Sequence, residues 1–201
     1  MKNLLLTIIV SLISISVGFS QYALQIEGGV NHGKVAVTQT DIYQHENITG
    51  GYLSLMPQYS LNNRMNLRSE FQFSIEGLGF ENGYKHNLYY VRVIPGVELK
   101  VLGPLSVLGG LNIGYIATTG GCTGGSSFKI PKGTYKSSDL GLLTGINYTM
   151  NKFNLAVKYN FGLTSIIDIN VTDVEGIVVD QGLGKNRFLQ VGLGYRIDFK
   201  D

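Results

Sequence analysis

Apolar and polar residues alternate one by one over long stretches of this chain. In residues 65–76, Leu67, Phe71, Phe73 and Ile75 all stand at odd positions, while most even positions carry polar or charged side chains. Successive side chains of a β-strand point to opposite faces, so this period of two predicts strands with one apolar face and one polar face. A helix would repeat its apolar residues every three to four positions. The pattern therefore favours a β fold.

Eight segments show this alternation. They are predicted as strands at residues 21–30, 49–61, 65–76, 87–100, 105–118, 138–150, 153–164 and 187–199. Strands of globular proteins usually have about 5–6 residues, whereas strands that cross a membrane need about 9–11. All eight segments reach the longer range, and their number is even, as in the antiparallel barrels of bacterial outer membranes. Segment length and number therefore favour a barrel that crosses a bilayer.

The connections between these segments alternate between short and long. The short ones, at 62–64, 102–104 and 151–152, contain the Asn, Gly and Pro residues that tight turns need. All short turns therefore lie at one end of the strands and all long loops at the other, as in outer-membrane barrels with short periplasmic turns and longer extracellular loops. The longest loops are predicted at 31–48, 119–137 and 165–185, and we expect binding to reside there.

Side-chain volume indicates which face of the strands points outwards. One face carries mostly bulky Leu, Ile, Val, Phe and Tyr side chains, and the opposite face is rich in glycine, including Gly110, Gly162 and Gly192. The interior of an eight-stranded barrel is barely wide enough to be filled by side chains, so the bulky set must face outwards. Such a wall would associate in water and suits lipid. The sequence thus predicts an all-β fold, an eight-stranded antiparallel up-and-down transmembrane β-barrel.

The start of the chain has the features of an export signal. Lys2 precedes an apolar run at residues 4–17, and the small residues Gly18 and Ser20 precede Gln21. A positive start, a short apolar core and small residues before a cut are typical of a secretory signal peptide, and the run is shorter than the ~20 apolar residues of a transmembrane helix. We predict a signal peptide at residues 1–20 and an outer-membrane β-barrel domain at residues 21–201.

The polar faces of the predicted strands place charges of both signs inside the barrel. The expected network in the lumen consists of Arg68, Glu70, Glu76, Arg92, Glu98, Lys158 and Arg196. A buried charge without a partner is costly, so we expect these side chains to pair and to plug the lumen. With a hairpin turn centred on residue 81, Glu70 would lie opposite Arg92, and Glu76 opposite His86. The alternative is a charged conduction path, for which eight strands leave little room.

An enzymatic alternative rests on Ser74, Glu76 and His86. If they converge near the long-loop end, they supply a nucleophile, an acid and a base, as in a hydrolase triad. A lipid hydrolase would need these groups accessible to acyl chains, whereas all three have inward parity. We therefore expect no catalytic residues and no enzymatic activity. No pattern indicates a metal or a cofactor, and the net charge of +2 gives no basic excess typical of nucleic-acid binding.

The chain resembles the small eight-stranded outer-membrane protein β-barrel family of OmpA/OmpX-like architecture, especially the porin-family β-barrel proteins of Bacteroidetes. The cut before Gln21, the alternating strands and the closing strand from Arg187 to Phe199 carry the resemblance. It implies that the barrel assembly machinery reads Phe199 as an assembly signal. Lys200 and Asp201 depart from the family, because many relatives end on the aromatic residue.

The resemblance implies a location in the outer membrane of a Gram-negative bacterium. The expected partners are outer-membrane lipid and lipopolysaccharide, together with an extracellular or envelope protein that binds the long loops. The expected function is a structural or binding role through the long extracellular loops. One barrel architecture serves many functions, so two alternatives are kept. These are a small-solute pore and the lipid hydrolase described above.

Overall fold

The computed structural model describes residues 22–37, 45–80, 83–131, 133–172 and 178–199. Side chains are described in the same ranges except at residues 45, 168–172 and 178–181. Within these ranges no helix is long and apolar enough to cross a membrane. The predicted signal peptide at residues 1–20 lies outside the described residues, as do Lys200 and Asp201.

The described residues form one sheet. Its strands are β1 Tyr22–Val37, β2 His45–Glu46, β3 Ile48–Ser60, β4 Met65–Phe80, β5 Lys85–Leu102, β6 Leu105–Thr123, β7 Ser126–Phe128, β8 Ser138–Met150, β9 Phe153–Gly162, β10 Ile167–Thr172 and β11 Val178–Asp198. The strands β1, β3, β4, β5, β6, β8, β9 and β11 pair in this order, and β11 pairs back with β1. Because every described pairing is antiparallel and the ring closes, the prediction of an eight-stranded antiparallel barrel is confirmed.

The apolar faces point outwards, as side-chain volume predicted. Phe71, Val157 and Leu193 are 38%, 43% and 59% exposed on the outer wall, whereas Arg92 and Lys158 are enclosed by the barrel. Such a wall suits lipid, because a closed ring of strands satisfies its own backbone hydrogen bonds. Aromatic side chains cluster near the short turns, where amphipathic rings favour a membrane interface.

The short turns follow directly from their residues. Asn62 Oδ1 accepts hydrogen bonds from the backbone nitrogens of Arg64 and Met65 at 2.8 and 2.9 Å. Gly103 and Asn151 have φ angles of 51° and 55°, in the left-handed region that glycine and asparagine tolerate best. These local preferences close the hairpins at the short-turn end.

The long connections are shorter than predicted, because their first and last residues belong to strands. β1 continues to Val37, β6 continues to Thr123 and is followed by β7, and β10 pairs with the first part of β11. The predicted loops at 31–48, 119–137 and 165–185 are therefore partly wrong. Apolar and polar residues alternate only where one face of a strand contacts lipid, so the pattern ends where the strands leave the membrane. The strands can continue beyond that point, because their hydrogen bonds use only the backbone.

The predicted pairing across the β4–β5 hairpin is also wrong. Glu70 lies opposite Ile94, Gln72 opposite Arg92, and Leu78 opposite His86. The hairpin turns one residue later than expected, so partners move by two positions along β5. A shift of two keeps each side chain on the same face. The inward parity of the charged residues is therefore unaffected, but their neighbours change.

Candidate functional site

Lys158 on β9 is the centre of an ion-pair cluster in the middle of the lumen. Its Nζ lies 2.7 Å from Glu27 Oε1 on β1 and 2.7 Å from Glu70 Oε1 on β4. The three side chains are fully buried. In the ring of strands, β4 and β9 stand on opposite walls. The contact between Lys158 and Glu70 therefore spans the barrel.

Arg68 extends this cluster towards the short turns. Its Nη2 lies 2.9 Å from Glu70 Oε2 and its Nη1 lies 3.4 Å from Glu98 Oε2. The Tyr52 hydroxyl donates a hydrogen bond to Glu27 Oε1 at 2.9 Å. Both ion pairing and neutral donors thus offset the burial of these carboxylates. We call Glu27, Arg68, Glu70, Glu98 and Lys158 the central cluster.

Arg92 on β5 organises a second cluster nearer the end of the long hairpins. Its Nε and Nη2 donate to the two carboxylate oxygens of Glu76 at 3.0 and 2.6 Å, a two-point contact that the planar guanidinium favours. Its Nη1 lies 3.0 Å from Asp139 Oδ2 on β8. Asn186 Nδ2 on β11 donates to Asp139 Oδ2 at 2.6 Å and to the Tyr90 hydroxyl at 2.9 Å. This upper cluster ties together four strands of the barrel.

An apolar layer covers the upper cluster on the side of the long hairpins. Its buried members are Val35, Leu78, Leu88, Tyr90, Ile116, Ile166 and Ile167. Tyr90 joins the layer to the cluster beneath, since its ring centroid lies 4.0 Å from Arg92 Cζ. Two ion-pair clusters and an apolar layer therefore fill successive levels of the lumen.

A polar cavity of about 340 Å³ remains at the short-turn end. Glu98, Lys100, Asn154 and Arg196 are among the residues that line it. Because the Glu98 carboxylate contacts Arg68, the central cluster bounds the cavity on its inner side. Arg196 has no direct contact with either cluster. Its Nε pairs with Asp198 at 2.7 Å near the short-turn rim, and its Nη1 donates to Gln58 Oε1 at 3.3 Å.

Ser74, Glu76 and His86 are not assembled as a triad. Ser74 Oγ donates to Glu76 Oε1 at 2.8 Å, and both carboxylate oxygens also accept hydrogen bonds from Arg92. His86 Nδ1 instead lies 2.6 Å from the Tyr135 hydroxyl. Among the described residues no hydrogen bond joins Ser74 to His86. Burial lowers the pKa of the His86 imidazole, which lies in the extracellular part of the hairpin.

Two acidic residues of the lumen were missed by the sequence interpretation. Glu27 shares the parity of Gln25, opposite to Leu24 and Ile26, so the alternation of β1 carried a usable signal. Asp139 shares the odd parity of Gly141 and Gly145 on the glycine-rich face of β8, so its inward direction could also have been read from the alternation. Its contact with Arg92, on a strand far away in the sequence, follows only from the fold.

Phe199 lies just after β11, on the outer wall. Its ring is 44% exposed, and its backbone nitrogen donates to the Tyr22 oxygen at 3.2 Å. The end of the closing strand is therefore fixed to the start of β1. The role of Phe199 in assembly stays a prediction.

Comparison with known proteins gives a family model and a set of solved structures. The model described as an outer membrane protein beta-barrel domain matches residues 9–168. None of the curated proteins with which the sequence was compared matches it. At low sequence identity, the likeness to solved structures concerns the fold alone.

Three of these structures are outer-membrane or surface proteins. Ail, the attachment invasion locus protein of Yersinia pestis, in complex with the heparin analogue sucrose octasulfate, is 17% identical, with 88% of this chain and 99% of that chain covered and a TM-score of 0.50. OprG from Pseudomonas aeruginosa is 13% identical, with 90% of this chain and 99% of that chain covered and a TM-score of 0.48. The Neisserial surface protein A is 14% identical, with 90% and 98% covered and a TM-score of 0.46.

Proposed function

The chain belongs to the outer membrane protein β-barrel domain family and lies in the outer membrane of a Gram-negative bacterium, and we propose that it serves there as a non-enzymatic anchor whose extracellular hairpins bind a partner. The partner is an extracellular or envelope protein. The barrel reaches its place through the assembly machinery of the envelope. The filled lumen is the observation that carries the proposal.

A solute would have to pass three closed levels of the lumen. The contact from Lys158 to Glu70 joins opposite walls, and the contact from Asn186 to the Tyr90 hydroxyl does the same in the upper cluster. Except for Tyr90, the side chains that form the apolar layer above carry no polar atom that could hydrate a passing solute. The cavity at the periplasmic end stops at the central cluster. This arrangement favours an anchor over a small-solute pore.

The extracellular hairpins have the rigidity that a binding surface needs. Backbone pairing continues in β10 and β11 from Ile167 opposite Gly184 to Thr172 opposite Val178. The turn between β6 and β7 is held by pairing of Gly121 with Phe128, whose ring packs 5.8 Å from that of His86. Ordered hairpins lose less conformational entropy on binding than free loops do. These hairpins are therefore suited to recognition.

The lipid hydrolase has less support. Ser74 is fully buried in the lumen, and acyl chains surround the outer wall. Among the described side chains, no imidazole contacts the serine to accept its proton, and His86 contacts Tyr135 instead. We expect Ser74→Ala to leave lipid turnover in the outer membrane unchanged, and a loss of turnover would support the hydrolase.

Electrical recording tests the closed lumen. The protein purified from outer membranes is inserted into planar bilayers, and insertion is verified by protease protection of the barrel. We expect no steady conductance from the natural chain. A steady conductance that changes in the Arg92→Ala variant would overturn the anchor and favour the pore.

Binding by the hairpins is tested separately. Fluorescent nanodiscs that carry the barrel are added to intact cells of the source bacterium and to its extracellular proteins. A variant with residues 124–137 replaced by a short Gly-Ser turn should lose retention. A matched variant with residues 62–64 replaced at the periplasmic end should keep it. Equal retention of both variants and the natural barrel would contradict a role for this hairpin.

A further inference from the structure

Three cationic side chains stand together on the outer wall of the barrel. Lys34 on β1 lies directly opposite Arg187 on β11, and Lys185 is two residues away on β11. Each alternates with buried neighbours, so all three point away from the lumen. Opposite residues in an antiparallel pair have Cβ atoms about 4.5–5.5 Å apart, and diagonal neighbours on one face about 7–8 Å apart. Three positive charges therefore fall within the reach of one anionic headgroup.

The cluster stands where the lipid-facing wall stops being apolar. Two rungs lower, Val30, Val191 and Val157 are neighbours across β1, β11 and β9. The next rung carries His32, Leu189 and Tyr159, and the rung above it carries Lys34, Arg187 and Phe161. The change from valine through tyrosine to cations marks the passage from hydrocarbon to headgroups.

This boundary belongs to the extracellular leaflet. The β1–β11 ladder continues upwards from Lys34 to Val37 and Gly184, towards the long hairpins. Its lower end, with Ala23 opposite Asp198, lies at the short-turn side. The cationic cluster is therefore at the depth of the outer-leaflet headgroups.

Arg187 is held in place before any ligand arrives. Its Cζ lies 3.5 Å from the centroid of the Phe161 ring, and Nη1 donates to the backbone oxygens of Gly162 and Asn186 at 2.6 and 3.0 Å. In the described part of the chain, its Nε and Nη2 have no hydrogen-bond acceptor. A fixed guanidinium with unused donors is suited to bind phosphate, because little side-chain entropy is lost on contact.

Lys185 and Arg187 stand two residues apart on one strand and face. In the described ranges, neither has an ion pair with a carboxylate, and Glu27 on β1 points into the lumen. A phosphate bound between these two cations would reduce the repulsion between them.

We propose that Lys34, Lys185 and Arg187 form a binding site for a phosphate group of lipopolysaccharide in the outer leaflet. The depth of the site and its outward direction favour a lipid headgroup over a soluble anion. The inference depends on the outer-membrane location and not on hairpin binding or a closed lumen. Its failure would leave the anchor proposal intact.

The experiment compares phosphorylated and dephosphorylated lipopolysaccharide. Protein purified from outer membranes is delipidated in detergent and titrated with each form, and affinity is read from native mass spectrometry. A basic residue near an anionic membrane surface strengthens binding about fivefold. We expect the natural protein to prefer the phosphorylated form by about tenfold or more, and Lys34→Gln with Arg187→Gln to remove that preference.

Control variants distinguish binding at this site from a general effect of the protein's positive charge. Lys100→Gln with Lys152→Gln removes the same charge at the short-turn end and should keep the preference. Lys34→Gln with Lys185→Gln spares the Phe161 contact, so it tests the site if the first pair of changes prevents folding, which a heat-modifiable gel band reports.

Two outcomes would overturn the proposal. One is an unchanged preference in folded variants that lack Lys34 together with Arg187 or Lys185. The other is full competition by millimolar inorganic phosphate, which would identify a site for a soluble anion instead of a lipid.

Discussion

Lys158 illustrates how a single side chain stabilises the filled lumen. Its ammonium lies 2.7 Å from carboxylates of two different strands, Glu27 and Glu70, and all three groups are shielded from solvent. Its ion pairs offset the cost of burying both carboxylates. The lysine therefore acts as a link between the walls of the barrel.

Replacing this amine should be strongly destabilising. We expect Lys158→Met to lower the free energy of unfolding by about 3–5 kcal/mol, because one buried charge is removed and its partners remain. Urea titration in lipid vesicles, followed by the heat-modifiable gel band, measures the loss. Lys152→Met, at an exposed turn, should change stability by less than about 0.5 kcal/mol. Equal stability of the two variants would contradict the link.

A compensated variant distinguishes charge from volume. Adding Glu27→Gln and Glu70→Gln to Lys158→Met removes the uncompensated charges, so much of the stability should return. A triple variant as unstable as Lys158→Met alone would mean that packing, not charge, accounts for the loss.

At the scale of the strand, the inner face depends on small residues. Gly192 on β11 lies beside the Tyr52 hydroxyl, which donates to Glu27 in the central cluster. A Cβ at residue 192 would overlap that hydroxyl. Glycine here gives the tyrosine the space to reach its carboxylate. The glycine-rich polar face thus makes room for the side chains that cross the lumen.

Gly192→Ala should therefore weaken the barrel. We expect a loss of about 1–3 kcal/mol, the range for overpacking a dense interior, in the same urea titration. Gly109→Ala is the matched control, because a Cβ there meets no atom within 4 Å and points to the lipid side. Equal stability of the two alanine variants would show that Tyr52 moves without penalty.

At the scale of the whole molecule, closure joins the last strand to the first. β1 and β11 pair from Ala23 opposite Asp198 to Val37 opposite Gly184. The barrel therefore closes only when the first and last strands are both in place. Phe199 extends this pairing by one backbone hydrogen bond to Tyr22, while the phenyl ring faces outwards. The aromatic ring therefore contributes little to the interior of the folded barrel.

A role of Phe199 in assembly predicts a kinetic defect without a stability defect. Phe199→Ala should reduce the amount of folded protein in the outer membrane severalfold after a pulse of synthesis. Its free energy of unfolding should stay within about 1 kcal/mol of the natural chain. Phe153→Ala removes another exposed aromatic ring near the short turns and should assemble normally. Normal assembly of the Phe199→Ala variant would contradict a role of Phe199 as an assembly signal.

A closed all-β barrel of eight strands, its outward apolar wall and the inward parity of Arg92 and Lys158 could all be predicted from the amino-acid sequence. The strands and their parity depend on a period of two and on turn residues, which act between near neighbours in the chain, and the outward direction of the apolar face follows from side-chain volume.

The contacts between inward charges depend on the folded barrel. Lys158 contacts Glu27 and Glu70, and Arg92 contacts Asp139, on strands that are far apart in the sequence. Glu76 contacts Arg92 from the neighbouring strand of the same hairpin. The turn of the β4–β5 hairpin is centred one residue later than predicted, and this changes the partner of every residue in the hairpin. The closure of the ring places Lys34 beside Arg187. Parity is a local property of each strand, but contact depends on register and closure, which are properties of the whole barrel.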